Sequence, residues 1–467
     1  MTAAAELELD TGWAGTPIRR LILTSTVFAA SGGTTLLFNI LLARVLGPER
    51  FGDLARTFSI GMAVALLTMA GVAPTLARAV AHGDERERPA LARAAIRLLL
   101  IAATGFSALY GLLGLAGLAP VGALSLVSGF ALAIVYATYS GLKLLLFALD
   151  RVPLYATLEL TSDAIFVVSL LLLAALAPMA GVLAFAIAYA WFCGWAIHLL
   201  LRSAGAGRAR IRVTRELLRY GGLASIATYA SLVQVPAAIA VTGLVGGSGE
   251  SGRIAVVLAL AMPLWLVPQA AGVLTFAGIA RARGMDVSLS VRQTVRVVFL
   301  ISGVAVAAAA VLAHPLVNVL LGSAYRDLDG IFLLVVGALV LQLAAQPVAN
   351  AFAAEGRVVG NVVVAALGLV AVIAGSLLLV PRYGATGAAV GTALSAVVMG
   401  GILLLRGRVR YGLTVGDLTE GLAVSGCGLV AALIFRSNWI PGSAVVALVA
   451  FVLLYRLRVR APTPQYS

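Results

Sequence analysis

VVGNVVVAALGLVAVIAGSLLLVPRYGATGAAVGTALSAVVMGGILLL, residues 358–405, carries a single charged side chain, Arg382, in 48 positions. On either side of Pro381-Arg382-Tyr383 the chain stays apolar for about 20 residues, the length at which a helix rising about 1.5 Å per residue crosses a bilayer core. In hydrocarbon every backbone N–H and C=O must be bonded internally, which leaves helices or closed barrels. Barrels need short alternating strands, and these runs do not alternate. Residues 358–381 and 384–405 are therefore two membrane-spanning helices joined by a tight turn.

The same reading extends along the chain. Further spans are expected at 21–44, 55–79, 94–117, 122–148, 152–177, 180–202, 218–245, 254–280, 293–314, 327–353, 418–435 and 440–456. The expected fold is an all-α polytopic membrane protein of about fourteen transmembrane helices. Composition agrees: 61% of residues are hydrophobic, 11% are charged, and the mean hydropathy is +1.05. No single soluble core buries that much apolar surface. Residues 1–17 lead through Arg19-Arg20 into a long span with no small-residue cleavage site, so the start reads as a tail and a retained first helix.

Charge sets the orientation. With the amino terminus inside, 26 of the 33 Lys and Arg residues fall on the inner side and 7 on the outer, as the positive-inside rule requires. Both termini are expected in the cytosol and the protein in the inner (cytoplasmic) membrane. The net charge of +14 is spread over span ends, not gathered in one aromatic-rich patch, so no nucleic-acid partner is expected. Cys193 and Cys427 lie within spans, and His82, His198 and His314 show no ligand spacing. No metal and no cofactor is expected.

An internal repeat runs through the chain. GPERFG (Gly47–Gly52) is matched by GSGESG (Gly247–Gly252), and Leu149-Asp150-Arg151-Val152 by Glu355-Gly356-Arg357-Val358, at offsets of 200 and 206. An even number of spans separates the copies, so they form two parallel six-helix lobes plus two C-terminal helices. The expected divisions are a tail at 1–20, an N-lobe at 21–202, a basic interfacial linker at 203–217, a C-lobe at 218–405, an appendix at 406–456 and a tail at 457–467. Outward loops are short, the longest being about 315–326, which argues against a membrane glycosyltransferase. No nucleotide-binding loop is present. A secondary transporter fits these features, and no enzymatic activity is expected.

Four segments, LARVLGPERFG (Leu42–Gly52), LLGSAYRDLDG (Leu320–Gly330), AAEGR (Ala353–Arg357) and LLLVPRYGATGAAVGTALS (Leu377–Ser395), resemble the multidrug/oligosaccharidyl-lipid/polysaccharide exporter superfamily, and its polysaccharide-flippase branch above all. The resemblance implies two helical lobes around a central cavity lined by spans one, two, seven and eight. It also implies a substrate, an undecaprenyl-pyrophosphate-linked oligosaccharide moved from inner to outer leaflet by alternating access for cell-surface polysaccharide biosynthesis. Polysaccharide polymerases or glycosyltransferases are the implied partners. Members commonly carry an ionised residue in the seventh span, where this sequence has Gln234 and Pro236. Other readings are a drug or organic-cation exporter of the same superfamily, or a non-transporting membrane scaffold for polysaccharide enzymes.

Ionisable groups at mid-bilayer cost about 2.5–3.5 kcal/mol on insertion scales, so each calls for a reason. Glu159 and Asp163 lie one helical turn apart in span five, and Lys143 and Tyr139 stand at matching depths in span four, counted from the turn at Arg151. The expectation is a buried Lys143–Glu159 pair, with Asp163 and Tyr139 forming a proton- or sodium-responsive polar site. The bland alternative is a cluster that only pins two helices together. For a pyrophosphate the candidate cations are Arg44, Arg56 and Arg219, since guanidinium forks match phosphate oxygens. Asn39, Ser59, Tyr220, Tyr229 and Gln234 are candidates for sugar hydroxyls. Arg44 equally suits helix capping, and Arg219 equally suits topology alone. Gly387, Gly391 and Ser395 recur every fourth residue, a small-residue face for close helix packing. Pro74, Pro236, Pro263 and Pro268 interrupt spans two, seven and eight and suit bending. The basic run Arg208–Arg219 reads as an interfacial helix attracted to anionic lipid.

Overall fold

The computed structural model describes residues 17–81, 87–117, 123–176, 181–203, 215–265 and 285–435, with Gly442, Ser443 and Val446. Among the described residues there is no strand. Among the described residues nine helices are long and apolar enough to cross a membrane, or ten when one bent pair is taken as a single span. One of the nine, Ala30–Ala81, is 52 residues long. At about 1.5 Å per residue it exceeds twice the hydrocarbon thickness, so it holds two spans. The chain is a multi-pass membrane protein.

The break between these two spans lies at Gly47, whose φ of 71° and ψ of 174° are non-helical. Pro48 follows as the first residue of the next helix, where its missing N–H is harmless. This defines α1 (residues 17–46) and α2 (48–81). Helices α3 (Arg88–Leu115), α4 (Ala123–Ala148), α5 (Val152–Leu176) and α6 (Gly181–Ser203) follow. Then come α7 (Arg215–Leu232 and Gln234–Val245, meeting at 49°) and α8 (Ser248–Ala261). The last are α9 (Met285–Val311), α10 (Leu328–Ala354), α11 (Val358–Tyr383), α12 (Ala385–Tyr411) and α13 (Thr419–Ile434). The expected fourteenth span and most of the linker 203–217 lie outside the described residues. Residues 215–219 of the basic run begin α7 itself.

Prolines mark the irregularities. A π-helical segment at Thr68–Val72 ends two residues before Pro74 and includes Ala70, four residues back, which relieves the clash of the proline ring with that carbonyl. The first half of α7 stops at Leu232, four residues before Pro236, and there the helix bends. Pro263 falls in a 3-10 turn, Met262–Trp265, and Pro268 lies outside the described residues.

The chain divides into two compact units, residues 1–38 with 60–225, and 39–59 with 226–467. In the first unit, Leu76, Leu99, Leu142, Tyr155 and Phe192 from α2 to α6 form the core. Glycines let its helices approach: Leu99 lies against Gly141, and Tyr110 fills the space beside Gly129.

In the second unit the tips of α1 and α2 pack on α8 through a reciprocal contact. A Cβ on Gly52 would strike the carbonyl of Ser248, and one on Gly252 would strike the carbonyl of Pro48. Ser248 Oγ also donates to Asp53 Oδ1. Gly247 (φ 86°, ψ 173°) repeats the backbone of Gly47. On α11 and α12, Gly391 faces Gly375, Gly387 lies on the Leu379 carbonyl, and Ser395 sits beside Gly368. Glu250 Oε2 accepts from the Ala385 N–H at 2.5 Å, capping α12 with a negative charge at its positive end.

The second repeated turn also matches atom for atom. Leu149, Asp150 and Arg151 donate to Leu145, Phe147 and Leu146, and Glu355, Gly356 and Arg357 donate to Ala351, Ala353 and Phe352. The residue in the left-handed region is Asp150 (φ 59°) in one copy and Gly356 (φ 76°) in the other.

Candidate functional site

The most polar interior of the first unit lies where α4, α5 and α6 meet. Glu159 is 2% exposed, and Tyr139 Oη donates to its Oε1 at 2.5 Å. Tyr139 stacks on Tyr189 with ring centroids 4.4 Å apart, and Phe192 meets Tyr139 edge-on at 4.9 Å. Tyr136 contacts both Tyr139 and Tyr189. Lys143 Nζ lies 5.0 Å from the Tyr155 ring centroid and 5.8 Å from that of Tyr139, a geometry in which the ring faces attract the ammonium. Glu159 and then Asp163 are the carboxylates whose charges act on Lys143.

The site thus brings Tyr139, Lys143 and Glu159 together, with one difference in pairing. Tyr139 was expected opposite Asp163 and instead reaches Glu159. Equal counting from the turn compares backbone depth only and does not fix which carboxylate the tyrosine hydroxyl reaches. Asp163 interacts instead with Ser31 of α1. Oε2 of Glu159 and Oδ2 of Asp163 are buried and accept no hydrogen bond among the described residues. Two buried carboxylate oxygens with spare acceptor capacity next to one ammonium make a place where a proton or small cation changes the energy most.

Sequence reading missed Ser31, Tyr136, Tyr155 and Tyr189. A signal existed, since Tyr136, Tyr139 and Lys143 follow each other at i, i+3 and i+7 along one helical face in an otherwise apolar span.

The second unit holds a neutral counterpart. Gln234 Nε2 donates to Met399 Sδ at 2.8 Å and to the Ala230 carbonyl at 3.2 Å, and its Oε1 accepts from Ser395 Oγ at 3.0 Å. Gln342 Nε2 also approaches Met399 Sδ, at 3.6 Å. Gln234, expected as a sugar contact, is turned into α10–α12 with its amide engaged. The cause is local: the bend at Val233 points the next turn of α7 at α12.

The remaining candidates are spread out. Arg44 Nη1 donates to the Val319 carbonyl at 3.3 Å, so it caps residues 316–321 and not its own helix. Arg56 is half-buried with its Cδ near Gly243 of α7, Ser59 is buried, and Asn39 and Tyr229 are half-buried. Arg219 and Tyr220 lie on the first turns of α7, where the side chains are outside the described part.

No family model and no curated relative matches the chain. Solved structures do. The lipid II flippase MurJ, in an inward closed conformation, superposes with a TM-score of 0.70 at 12% identity, covering 94% of this chain and 100% of that one. This chain has the fold of MOP superfamily transporters. An inward-facing multidrug resistance MATE family transporter of that superfamily gives a TM-score of 0.61 at 15% identity, over 82% of this chain and 94% of its own. A MOP superfamily transporter from Pyrococcus furiosus gives 0.61 at 16%, over 85% and 96%. On this fold the charged cluster of the first unit has no counterpart at the repeat positions: at the offset of 206, Lys143, Glu159 and Asp163 correspond to Ala349, Ala365 and Leu369. The buried acid of the second unit, Asp329 of α10, lies elsewhere, 3.6 Å from His314 Nδ1.

Proposed function

We propose that this protein is a secondary transporter that flips an undecaprenyl-pyrophosphate-linked oligosaccharide from the inner to the outer leaflet by alternating access, supplying cell-surface polysaccharide biosynthesis. One observation favours a flippase over a drug exporter. The MurJ structure covers 94% of this chain whereas the MATE transporter covers 82%. The difference is of the size of the two-helix appendix at 406–456. In this reading Arg56 and Arg219 bind the pyrophosphate, with Asn39, Ser59, Tyr220 and Tyr229 on the sugars, and Arg44 serves mainly to hold the outer end of α1. Glu159 and Asp163, tuned by Tyr139 and Lys143, couple flipping to a proton or sodium gradient. Anionic lipids and the enzymes that make and polymerise the oligosaccharide are the proposed partners, in the cytoplasmic membrane.

Deletion of the gene with a leaflet-resolved assay of undecaprenyl-linked oligosaccharide tests this. Accumulation on the inner leaflet is the expected result. Unchanged leaflet distribution with altered tolerance to cationic drugs would instead assign the protein to drug export, for which the buried carboxylates of the first unit are the favouring feature.

A further inference from the structure

The AAEGR motif closes α10 onto α11 and gathers charge from α12. Glu355 Oε2 accepts from Arg410 Nη2 at 3.2 Å and Nε at 3.3 Å, and Arg357 Nε approaches the same oxygen at 3.5 Å. Arg406 lays its guanidinium over the Phe352 ring, 4.4 Å from centroid, beside Gly360. The Phe352 ring in turn lies 5.4 Å from that of Tyr411. Arg408 is exposed on the same helix end.

Two arginines, Arg357 and Arg410, thus share one carboxylate, with Arg406 and Arg408 on the same helix end. Burial leaves a donor over: Arg406 Nη1 is buried and makes no hydrogen bond among the described residues, while the buried Tyr411 hydroxyl is turned to Glu355. An unmade hydrogen bond at a buried donor is expensive, about 1–3 kcal/mol and more for a charged one. Topology alone needs positive charge at this end; it does not need it stacked on an aromatic ring with a donor left open.

Apolar surface adjoins the cluster. Val359, Val363, Leu367 and Val370 stand exposed along one side of α11, and Val409 of α12 is 90% exposed. A ligand with an anionic head and acyl chains matches both parts, the phosphate on the arginines and the chains along the α11 ridge.

We propose that Arg357, Arg406, Arg410 and Tyr411 form a binding site for the phosphate of an anionic phospholipid, at the end of the second unit that the arginine count assigns to the cytosol. The site stands independently of what the protein transports. Full-length protein in mild detergent is titrated with phosphatidylglycerol, with phosphatidylcholine and inorganic phosphate as separate probes, and bound lipid is read by native mass spectrometry. The wild type is expected to hold phosphatidylglycerol at least about fivefold more tightly than phosphatidylcholine, and to lose about fivefold per arginine removed in Arg406→Gln and Arg410→Gln. Arg410→Lys, which keeps the charge, is expected to retain most of the preference, and Arg382→Gln at the far end of α11 all of it. The exposed Arg357→Gln and Arg410→Gln give the same readout should the half-buried Arg406 variant fail to fold. An undiminished preference in the folded Gln variants overturns the site. Displacement of the lipid by equimolar inorganic phosphate overturns the lipid assignment in favour of a soluble anion.

Discussion

Replacing Gly252 with alanine tests the reciprocal glycine contact on which the second unit closes. Two effects oppose each other. Alanine is the better helix former by about 0.8–1.0 kcal/mol, which favours the variant. The added Cβ would meet the Pro48 carbonyl and the Gly52 amide nitrogen, both backbone atoms that cannot rotate away. Overpacking of this kind costs about 1–3 kcal/mol, and here relief requires shifting the tip of α2 as a body, which points to the upper end. The net expectation is destabilisation by about 1–2 kcal/mol. The control is Gly249→Ala in the same first turn of α8, whose nearest neighbour is the flexible Glu49 side chain at an ordinary 3.5 Å. That variant should be neutral or slightly stabilised. Reversible unfolding in mixed micelles with increasing denaturing detergent reads both. Equal stability of Gly252→Ala and Gly249→Ala would refute the contact, since only one of the two sites faces backbone.

Three other substitutions follow from local geometry. Tyr139→Phe removes the hydroxyl that Glu159 accepts from and should cost about 1.5–3 kcal/mol if the carboxylate is charged, read by the same unfolding assay. Gly356→Ala places a Cβ in the left-handed region and should destabilise by about 1–2 kcal/mol, whereas Asp150→Gly at the equivalent turn should be neutral or stabilising. Asp417, between α12 and α13, is raised by burial, but hydrogen bonds from Thr414 and from Arg292 (Nε to Oδ2 at 3.1 Å) more than offset this and hold it below the usual carboxylate range. The native state therefore binds that proton less readily than the unfolded chain does. Its contribution is present above the ordinary carboxylate pKa of about 3.9 and is lost as pH falls through the lowered value. Amide exchange at the start of α13 should accelerate over that acid range in the wild type, and Asp417→Asn should remove the pH dependence.

Span number, repeat offset and turn positions could be read from sequence because they rest on backbone needs. Only glycine or an equivalent tolerates the φ at 47, 247 and 356, and only long apolar runs satisfy a bilayer. Which side chains meet was less legible. The Glu159–Asp163 face was found by helical spacing, but the partner of Tyr139 depended on side-chain conformation, which backbone depth does not encode. Gln234 carried the right polarity and turned elsewhere because Pro236 bends α7, and the direction of a bend is set by packing. The AAEGR motif was recognisable as a pattern, while its function as a charge hub required Arg406 and Arg410, about 50 residues later, to be brought beside it.

The two units solve the problem of interior polarity differently, and this bears on where energy can enter. In the second unit, Gln234, Ser395, Met399 and Gln342 are neutral and hydrogen-bonded to one another, so no change of pH or ion concentration alters their charge. In the first, Glu159 and Asp163 each keep one buried oxygen that accepts no hydrogen bond among the described residues, and both charges act on Lys143. Neutralising one carboxylate there changes an interaction that low dielectric makes large. A gradient-driven conformational change needs a group whose charge state differs in energy between two states. Matching positions of the second unit hold Ala349, Ala365 and Leu369, which have no charge to change. Coupling that survived Glu159→Gln together with Asp163→Asn would therefore have to come from elsewhere, and Asp329 beside His314 in the second unit is the buried acid to test next.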